Sequence, residues 1–167
     1  PTDWQPGQFV NLDGAVYAES LLARLPGCVV PRRLYQNHTG PFPPTPEPLN
    51  EATATAALHA AYGTVAHFGH GSRSQISLGS DLMTSSEAAA AVNQDSTSIW
   101  LSNNCASAAV DFDSFAERLL RIPVGGAIAY IGAARDAWAE NDAAVSNSAR
   151  LSVEASVGKT VDHITFT

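Results

Sequence analysis

Lysine and clustered basic charge are almost absent from this sequence. Lys159 is the only lysine, and nine basic residues stand against sixteen acidic ones, for a net charge of −7. No basic cluster exceeds the pair Arg32 and Arg33. Because binding to nucleic acid requires a concentration of basic side chains, the sequence argues against nucleic acid as the main partner.

Cysteine and long apolar runs are scarce as well. Cys28 and Cys105 are too few for a disulfide framework. No apolar run approaches the length of a membrane span, so we expect no membrane partner. Cys28 lies in the apolar run 27–30, which predicts a small, buried and inert thiol.

The 167 residues, 15% charged and 45% hydrophobic, suit one compact domain with a substantial core. The chain begins at Pro1 without a methionine or a targeting segment, which we interpret as a processed or excised product. Residues 151–166 alternate apolar and polar side chains around a turn at Gly158. The sequence therefore predicts an α/β domain at 1–145 and a C-terminal extension at 146–167, in the form of a β-hairpin.

Apolar runs and helical patterns alternate along the domain in the order β-α-β-α-β-α-β-α-β. Predicted strands lie at 8–12, at 28–35, before His70, before Cys105 and at 127–132, and a Ser/Gly-rich loop is predicted at 71–81. The second helix is predicted to run to Tyr62 and to end at Gly63. Alternating elements of this kind predict a mostly parallel five-stranded sheet covered by helices on both faces.

Two of the predicted strands stop at side chains that carry chemistry. His70 follows one apolar run between two glycines, and Cys105 follows the next run. The carboxyl ends of parallel strands open into one crevice, where an imidazole can hold a thiol as the nucleophilic thiolate. The backbone N–H groups of Gly71 and Cys105 are candidates for an oxyanion hole. Spacing alone leaves a second interpretation equally open, a core cysteine and a loop histidine that never meet.

Other patterns support weaker alternatives. A zinc site from His59, His67 and His70 is disfavoured, because His67 and His70 point to opposite faces and no carboxylate lies at ligand spacing. Ser72 lacks the glycine spacing of a serine-hydrolase elbow. A flavodoxin-like receiver or nucleotide-binding domain is disfavoured, because no phosphate-cradling glycine pattern follows the first or third strand.

Four motifs occur in order along the chain: a strand ending in Gly-His-Gly-Ser at 69–72, a strand ending at Cys105, a Phe-Ala-Glu helix from 115, and a Gly-Gly-Ala-Ile strand at 125–128. In this combination the sequence resembles the catalytic half of gingipain-type cysteine peptidases, which are related more distantly to caspases and legumains. The resemblance covers about residues 8–138, and residues 13–26 also resemble the helix that precedes the second strand of that family.

The resemblance implies a caspase-like three-layer sandwich with strand order 2-1-3-4-5. It implies a cysteine endopeptidase that acts on polypeptides through a Cys105–His70 dyad and an acyl-enzyme, with Trp138 in the wall of the specificity pocket. The alternative is a catalytically inactive relative that serves as a binding or scaffolding module. Family members are secreted or bound to the cell envelope, and they usually carry a further N-terminal subdomain, which we expect as a missing partner or pro-segment. No cofactor is expected, and structural calcium only by resemblance.

Asp13 supports two interpretations. It precedes the first predicted helix and has the side chain of an N-cap. It also follows the first predicted strand, so it is a candidate substrate-binding residue that selects arginine or lysine in the same crevice.

Overall fold

The computed structural model of the protein describes residues 14–39, 41–42, 44–90 and 96–137. Within these ranges the elements are α1 (Gly14–Leu22), β1 (Leu34–Tyr35), β2 (Glu47–Pro48), α2 (Glu51–His59), β3 (Thr64–Phe68), β4 (Gln75–Leu78), β5 (Asp81–Thr84), α3 (Ser85–Ala90), β6 (Ser98–Asn103), α4 (Phe115–Leu120) and β7 (Ala127–Gly132).

A parallel sheet of three strands, in the order β3-β6-β7, forms the centre of the described structure. Its middle strand, β6, is apolar on both sides. Trp100 packs into the main core, and Leu101 contacts Leu21 and Leu25 on the opposite face. Burial on both faces is typical of parallel sheets and explains why this strand reads as a continuous apolar run. The strands predicted before His70, before Cys105 and at 127–132 are confirmed.

An aromatic cluster forms the main core beside β6. The ring of Phe115 is fully buried, 5.9 Å from Trp100 in an edge-on arrangement, and Tyr130 stacks on Trp100 at 6.1 Å. Helix α4 is fixed over this core by Ser114, whose side chain accepts a hydrogen bond from the backbone N–H of Glu117. The core thus ties α4 to the strand that ends before Cys105.

A two-stranded antiparallel hairpin, β4–β5, occupies most of the segment that the sequence predicted as a loop. That prediction was wrong. Ile76 and Leu78 alternate with polar residues and are buried together with Met83, and Gly79 makes the turn with φ +72°. The period of two was present, but the surrounding Ser and Gly residues obscured it.

The second predicted strand, 28–35, was also largely wrong. Only Leu34–Tyr35 pairs, with Glu47–Pro48, and the Val29 N–H closes a turn on the carbonyl of Pro26. Pro31 cannot donate a ladder hydrogen bond, which limits the strand to its last residues. Cys28 is exposed rather than buried, as is Val30.

Helix α2 ends earlier than predicted. Asn50 is its N-cap and forms a capping box with Thr53. The helix ends at His59, and Ala61 then adopts φ +60°, the conformation that usually terminates a helix at glycine. The prediction that it runs to Tyr62 and ends at Gly63 was wrong by three residues.

The chain is therefore a mixed α/β protein with a parallel sheet of three strands and two small two-stranded sheets in its described part. The predicted strand at 8–12 and the predicted hairpin at 146–167 lie outside the described residues. Within the described ranges no helix has both the length and the apolar character needed to cross a membrane.

Candidate active site

The two predicted catalytic residues follow neighbouring strands. β3 and β6 are parallel and in register from Thr64 beside Ile99 to Phe68 beside Asn103. The pairing continues one step further, because the N–H of Gly69 donates to the carbonyl of Asn103 at 3.2 Å. The next residue along one chain segment is His70, and Cys105 lies at the matching end of the other. The expectation that they follow adjacent parallel strands is confirmed.

The His70 loop is held by the β4 strand. The N–H of His70 donates to Oγ of Ser77 at 2.9 Å, and the N–H of Ser77 donates to the carbonyl of His70 at 2.9 Å. Gly71 forms an antiparallel bridge with Ile76. The two hydrogen bonds around this bridge belong to flanking residues, so the bridge does not use the Gly71 N–H. These contacts fix the backbone of His70, and His70 as a whole is exposed to solvent.

The Cys105 loop is held by the segment after β7. Cys105 is half-buried, and its Sγ lies 3.5 Å from the carbonyl oxygen of Ala137. The next residue, Ala106, has φ +52° and donates its N–H to the carbonyl of Arg135 at 2.9 Å. A left-handed conformation at a residue other than glycine costs about 1 kcal/mol, so the surrounding contacts enforce a strained turn directly after Cys105.

The two loops touch each other through Gly71 and Asn104. A Cβ placed on Gly71 would lie 2.7 Å from Cγ of Asn104, closer than real Cβ contacts come. Asn104 itself is 2% exposed. The residue after His70 therefore packs directly on the residue before Cys105, which makes a glycine at position 71 a requirement of the packing.

A single cavity of about 960 Å³ is lined by both His70 and Cys105, together with Asn104 and Ala137. Among the described residues it extends along β3 to the start of α1. A cavity of this size accommodates an extended peptide segment of several residues or a drug-sized ligand.

A buried polar network under the two loops was missed in the sequence. His67 is 8% exposed; its Nε2 lies 2.9 Å from the carbonyl oxygen of Ser77, and its Nδ1 lies 3.1 Å from Nδ2 of Asn104. Nδ2 of Asn104 also donates to Oγ of Ser102 at 2.8 Å. Burial lowers the pKa of His67, the hydrogen bond to Ser77 opposes that shift, and the nearby charge of His70 adds to it. A histidine among apolar strand residues was the available signal.

The sequence matches the model of a known protein family. The model of peptidase family C25 matches residues 7–160. The chain belongs to peptidase family C25. A solved structure described as "Structure of Protease" is similar at 24% sequence identity with a TM-score of 0.49, over 62% of this chain and 21% of that chain. The chain thus spans about a fifth of that protein's length. No curated protein sequence matches at a significant level.

The two remaining candidate site residues of this C25 chain, Asp13 and Trp138, lie outside the described residues. Their sequence neighbours are described. Gly14 packs on Phe68 near the end of β3, where a Cβ on Gly14 would lie 3.2 Å from the Phe68 carbonyl oxygen. Ala137 contacts Cys105.

Metal ligands do not gather in the described part of this C25 chain. Within residues 14–39, 41–42, 44–90 and 96–137, no three His, Cys, Asp or Glu side chains lie close enough together to hold a metal ion. The described residues therefore offer no side-chain cluster that fits the calcium implied by the family resemblance.

Proposed function

We propose that this chain is the catalytic part of a cysteine endopeptidase, with Cys105 as nucleophile and His70 as its general base and acid. One observation carries the proposal: in a chain of peptidase family C25, His70 and Cys105 follow paired parallel strands and line the same cavity. Membership in a peptidase family supports a polypeptide substrate, and the exposed His70 loop is accessible to one.

The reaction takes place in two stages. His70 accepts the thiol proton, and Sγ of Cys105 attacks the carbonyl carbon of the scissile bond to give a tetrahedral oxyanion. Collapse of this intermediate breaks the C–N bond, His70 gives its proton to the leaving amine, and an acyl-enzyme thioester remains. A water that loses a proton to His70 then attacks the thioester, which releases the new carboxyl end and restores the thiol. No cofactor takes part.

The oxyanion is stabilised by the backbone N–H groups of Gly71 and Cys105. Donors of this kind contribute most when they are fixed before the reaction. The bridge between Gly71 and Ile76 does not use the Gly71 N–H, and the strained turn at Ala106 fixes the backbone on the other side. Both observations support the assignment.

Trp138 and Asp13 form the substrate-binding pocket in this proposal. Trp138 directly follows Ala137, whose carbonyl contacts Cys105, and Asp13 directly precedes Gly14, which packs on the end of β3. An indole wall and a carboxylate would favour a cationic side chain in the substrate. Asp13 also remains a candidate N-cap of α1.

The finer features of the fold and the setting belong to the same proposal. The three-layer, caspase-like sandwich implied by the family resemblance is part of this proposal, and the described sheet of three parallel strands supplies its catalytic strands. By family membership we infer a secreted or cell-envelope protein whose catalytic part works together with an N-terminal subdomain or pro-segment.

The test compares Cys105→Ala with the matched control Cys28→Ala. Because Cys28 is exposed, both thiols of the wild type react with iodoacetamide, and labelled peptides must be resolved by mass spectrometry. We expect Cys105→Ala to abolish hydrolysis of fluorescently labelled casein, and Cys28→Ala to retain it. Equal loss of hydrolysis in both folded variants would overturn the assignment of Cys105. A wild type that neither hydrolyses casein nor labels Cys105 faster than a free thiol would identify the chain as the inactive binding module.

A further inference from the structure

His67 is the one histidine of strand β3, and its environment determines its protonation pattern. Its Nε2 lies 2.9 Å from the carbonyl oxygen of Ser77, an atom that can only accept. Nε2 therefore carries the proton, and Nδ1 is left as an acceptor. The amide nitrogen of Asn104 lies 3.1 Å from Nδ1 and donates to it. Both ring nitrogens are thus used, in a neutral imidazole.

The Nδ1 side of this imidazole is connected to the nucleophile through Asn104. Asn104 directly precedes Cys105, is 2% exposed, and also donates to the buried Oγ of Ser102 at 2.8 Å. Its orientation is fixed because the acceptor Nδ1 of His67 selects the amide nitrogen. These hydrogen bonds anchor the residue directly before Cys105 to the buried network.

The Nε2 side of the imidazole is connected to the general base through Ser77. Ser77 accepts from His67 through its carbonyl and makes two hydrogen bonds with the backbone of His70, one through its N–H and one through its Oγ, each 2.9 Å long. Ser77 therefore transmits the position of the His67 ring directly to the loop that carries His70.

We propose that His67 is a positioning residue, which fixes the His70 loop and the Cys105 loop relative to each other through the hydrogen-bonded chain Ser77–His67–Asn104. The inference rests on the proposed function, since it assigns a role in a reaction carried out by His70 and Cys105. It adds a third side chain, which acts on the two catalytic loops through Ser77 and Asn104.

A simple packing role does not account for the arrangement as well. An apolar side chain would fill the same space without the desolvation cost that a buried imidazole carries. Two hydrogen bonds of His67 go to Ser77 and Asn104, the residues that hold the catalytic loops, and Oγ of Ser102 lies 3.4 Å from Nδ1. Gly71 also packs directly on Asn104, which joins the His70 loop to the Cys105 loop by a second contact. The two loops therefore share one rigid support.

The test uses the Cys28→Ala background, so that iodoacetamide labelling reports on Cys105 alone. His67→Gln keeps an amide donor for the Ser77 carbonyl but loses the acceptor for Asn104. His67→Asn keeps an acceptor for Asn104 but loses the donor to the Ser77 carbonyl. His59→Gln, at the exposed end of α2, is the matched control. For each protein, the labelling rate at pH 6.5, kcat and KM for casein, and the melting temperature are measured.

We expect both His67 variants to lose at least about tenfold in kcat and in labelling rate, with KM within about twofold, because a misplacement of 1 Å can cost about a hundredfold in rate. His59→Gln should match the parent. His67 variants that fold and react at the parent rate overturn the inference, even when their melting temperature falls. If they do not fold, Asn104→Ala decides, since it removes the hydrogen bond from Nδ2 of Asn104 to Nδ1 of His67: a fall in kcat and in labelling rate supports the role, and unchanged values overturn it.

Failure of the proposed function gives a different result. In that case Cys105 of the parent labels no faster than glutathione, and His70→Ala leaves its rate unchanged. The inference about His67 falls with it. The positioning role alone would be overturned by a third result. In it, Cys105 of the parent labels faster than glutathione, His70→Ala lowers that labelling rate, and both His67 variants leave it unchanged.

Discussion

Gly71 and Asn104 are packed so closely that a Cβ on Gly71 would lie 2.7 Å from Cγ and 2.9 Å from Nδ2 of the Asn104 side chain. The contact joins the residue after His70 to the residue before Cys105. Because Asn104 is 2% exposed and hydrogen-bonded to His67 and Ser102, it cannot move aside without breaking that network. The spacing of the two loops is therefore set by the absence of a side chain at position 71.

Gly71→Ala should separate the two catalytic loops. Overpacking of this kind costs about 1–3 kcal/mol, and we expect kcat for casein to fall at least about tenfold while the protein remains folded. Gly63→Ala, at the opposite end of β3, is the matched control, since a Cβ there meets nothing within 4 Å. Steady-state kinetics and chemical unfolding of both variants test the idea. A fully active Gly71→Ala enzyme would show that the contact does not set the catalytic geometry.

The strained turn after Cys105 can be tested with a pair of identical substitutions. Ala106 and Ala61 have φ values of +52° and +60°, in the region where glycine is favoured. Ala106→Gly and Ala61→Gly should each raise the free energy of unfolding by up to about 1 kcal/mol, because they relieve the same strain. The measurement is urea unfolding.

The two variants should differ in activity. Ala61 lies between helix α2 and the start of β3, at the end of that strand opposite His70, so Ala61→Gly is expected to keep the wild-type kcat. Ala106→Gly loosens the backbone directly after Cys105 and should lower both kcat and the labelling rate severalfold in spite of its higher stability. Equal activity of the two variants would mean that the strain at Ala106 has no part in holding the nucleophile.

The strands that carry the site were predictable because they are apolar on both faces. The runs ending before His70 and Cys105 and the run at 127–132 are confirmed. The β4–β5 hairpin was not predicted, because Ser and Gly residues obscure the alternation of Ile76 and Leu78. The strand at 28–35 was predicted too long, because the prediction followed the apolar residues around Pro31. Proline has no backbone N–H and so cannot donate a hydrogen bond to a neighbouring strand.

The strands that end before His70 and Cys105 were predicted, and the hydrogen-bonded network beneath them was not. Adjacent parallel strands bring His70 and Cys105 to one edge for a topological reason that a sequence shows. The hydrogen bond from Asn104 to His67 joins residues 37 positions apart on different elements. Strand periodicity gives the face on which His67 lies, but no information about which polar side chain crosses to meet it.

Substrate selection can be tested at Asp13, next to the start of α1. If its carboxylate lines the pocket, Asp13→Asn should lower the ratio of kcat/KM for arginyl over leucyl peptides at least about tenfold, since a bidentate ion pair with the guanidinium is lost. The asparagine keeps a capping oxygen, so the free energy of unfolding should change little. An unchanged ratio would leave Asp13 with the capping role alone.

The buried imidazole of His67 should make folding stability depend on pH. Burial lowers the pKa of His67 below its usual value of about 6.5, so the unfolded chain binds a proton that the folded protein rejects. The stabilising contribution is complete above about pH 6.5 and is lost as the pH falls toward the depressed folded pKa, with a slope of at most about 1.4 kcal/mol per pH unit.

Urea unfolding between pH 7.5 and 5 tests this expectation, in a range where carboxyl groups of ordinary pKa remain mostly ionised. His67→Gln has no proton to gain, and its stability should change less over the range than that of the wild type. His59→Gln, at an exposed position, is expected to keep the wild-type slope. Protonation would also turn Nδ1 of His67 from an acceptor into a donor facing the amide nitrogen of Asn104, so the same acidification should weaken the support of Cys105. A wild type and His67→Gln with parallel pH profiles would show that His67 does not stay neutral in the folded protein, and the hydrogen-bond pattern assigned to it would be wrong.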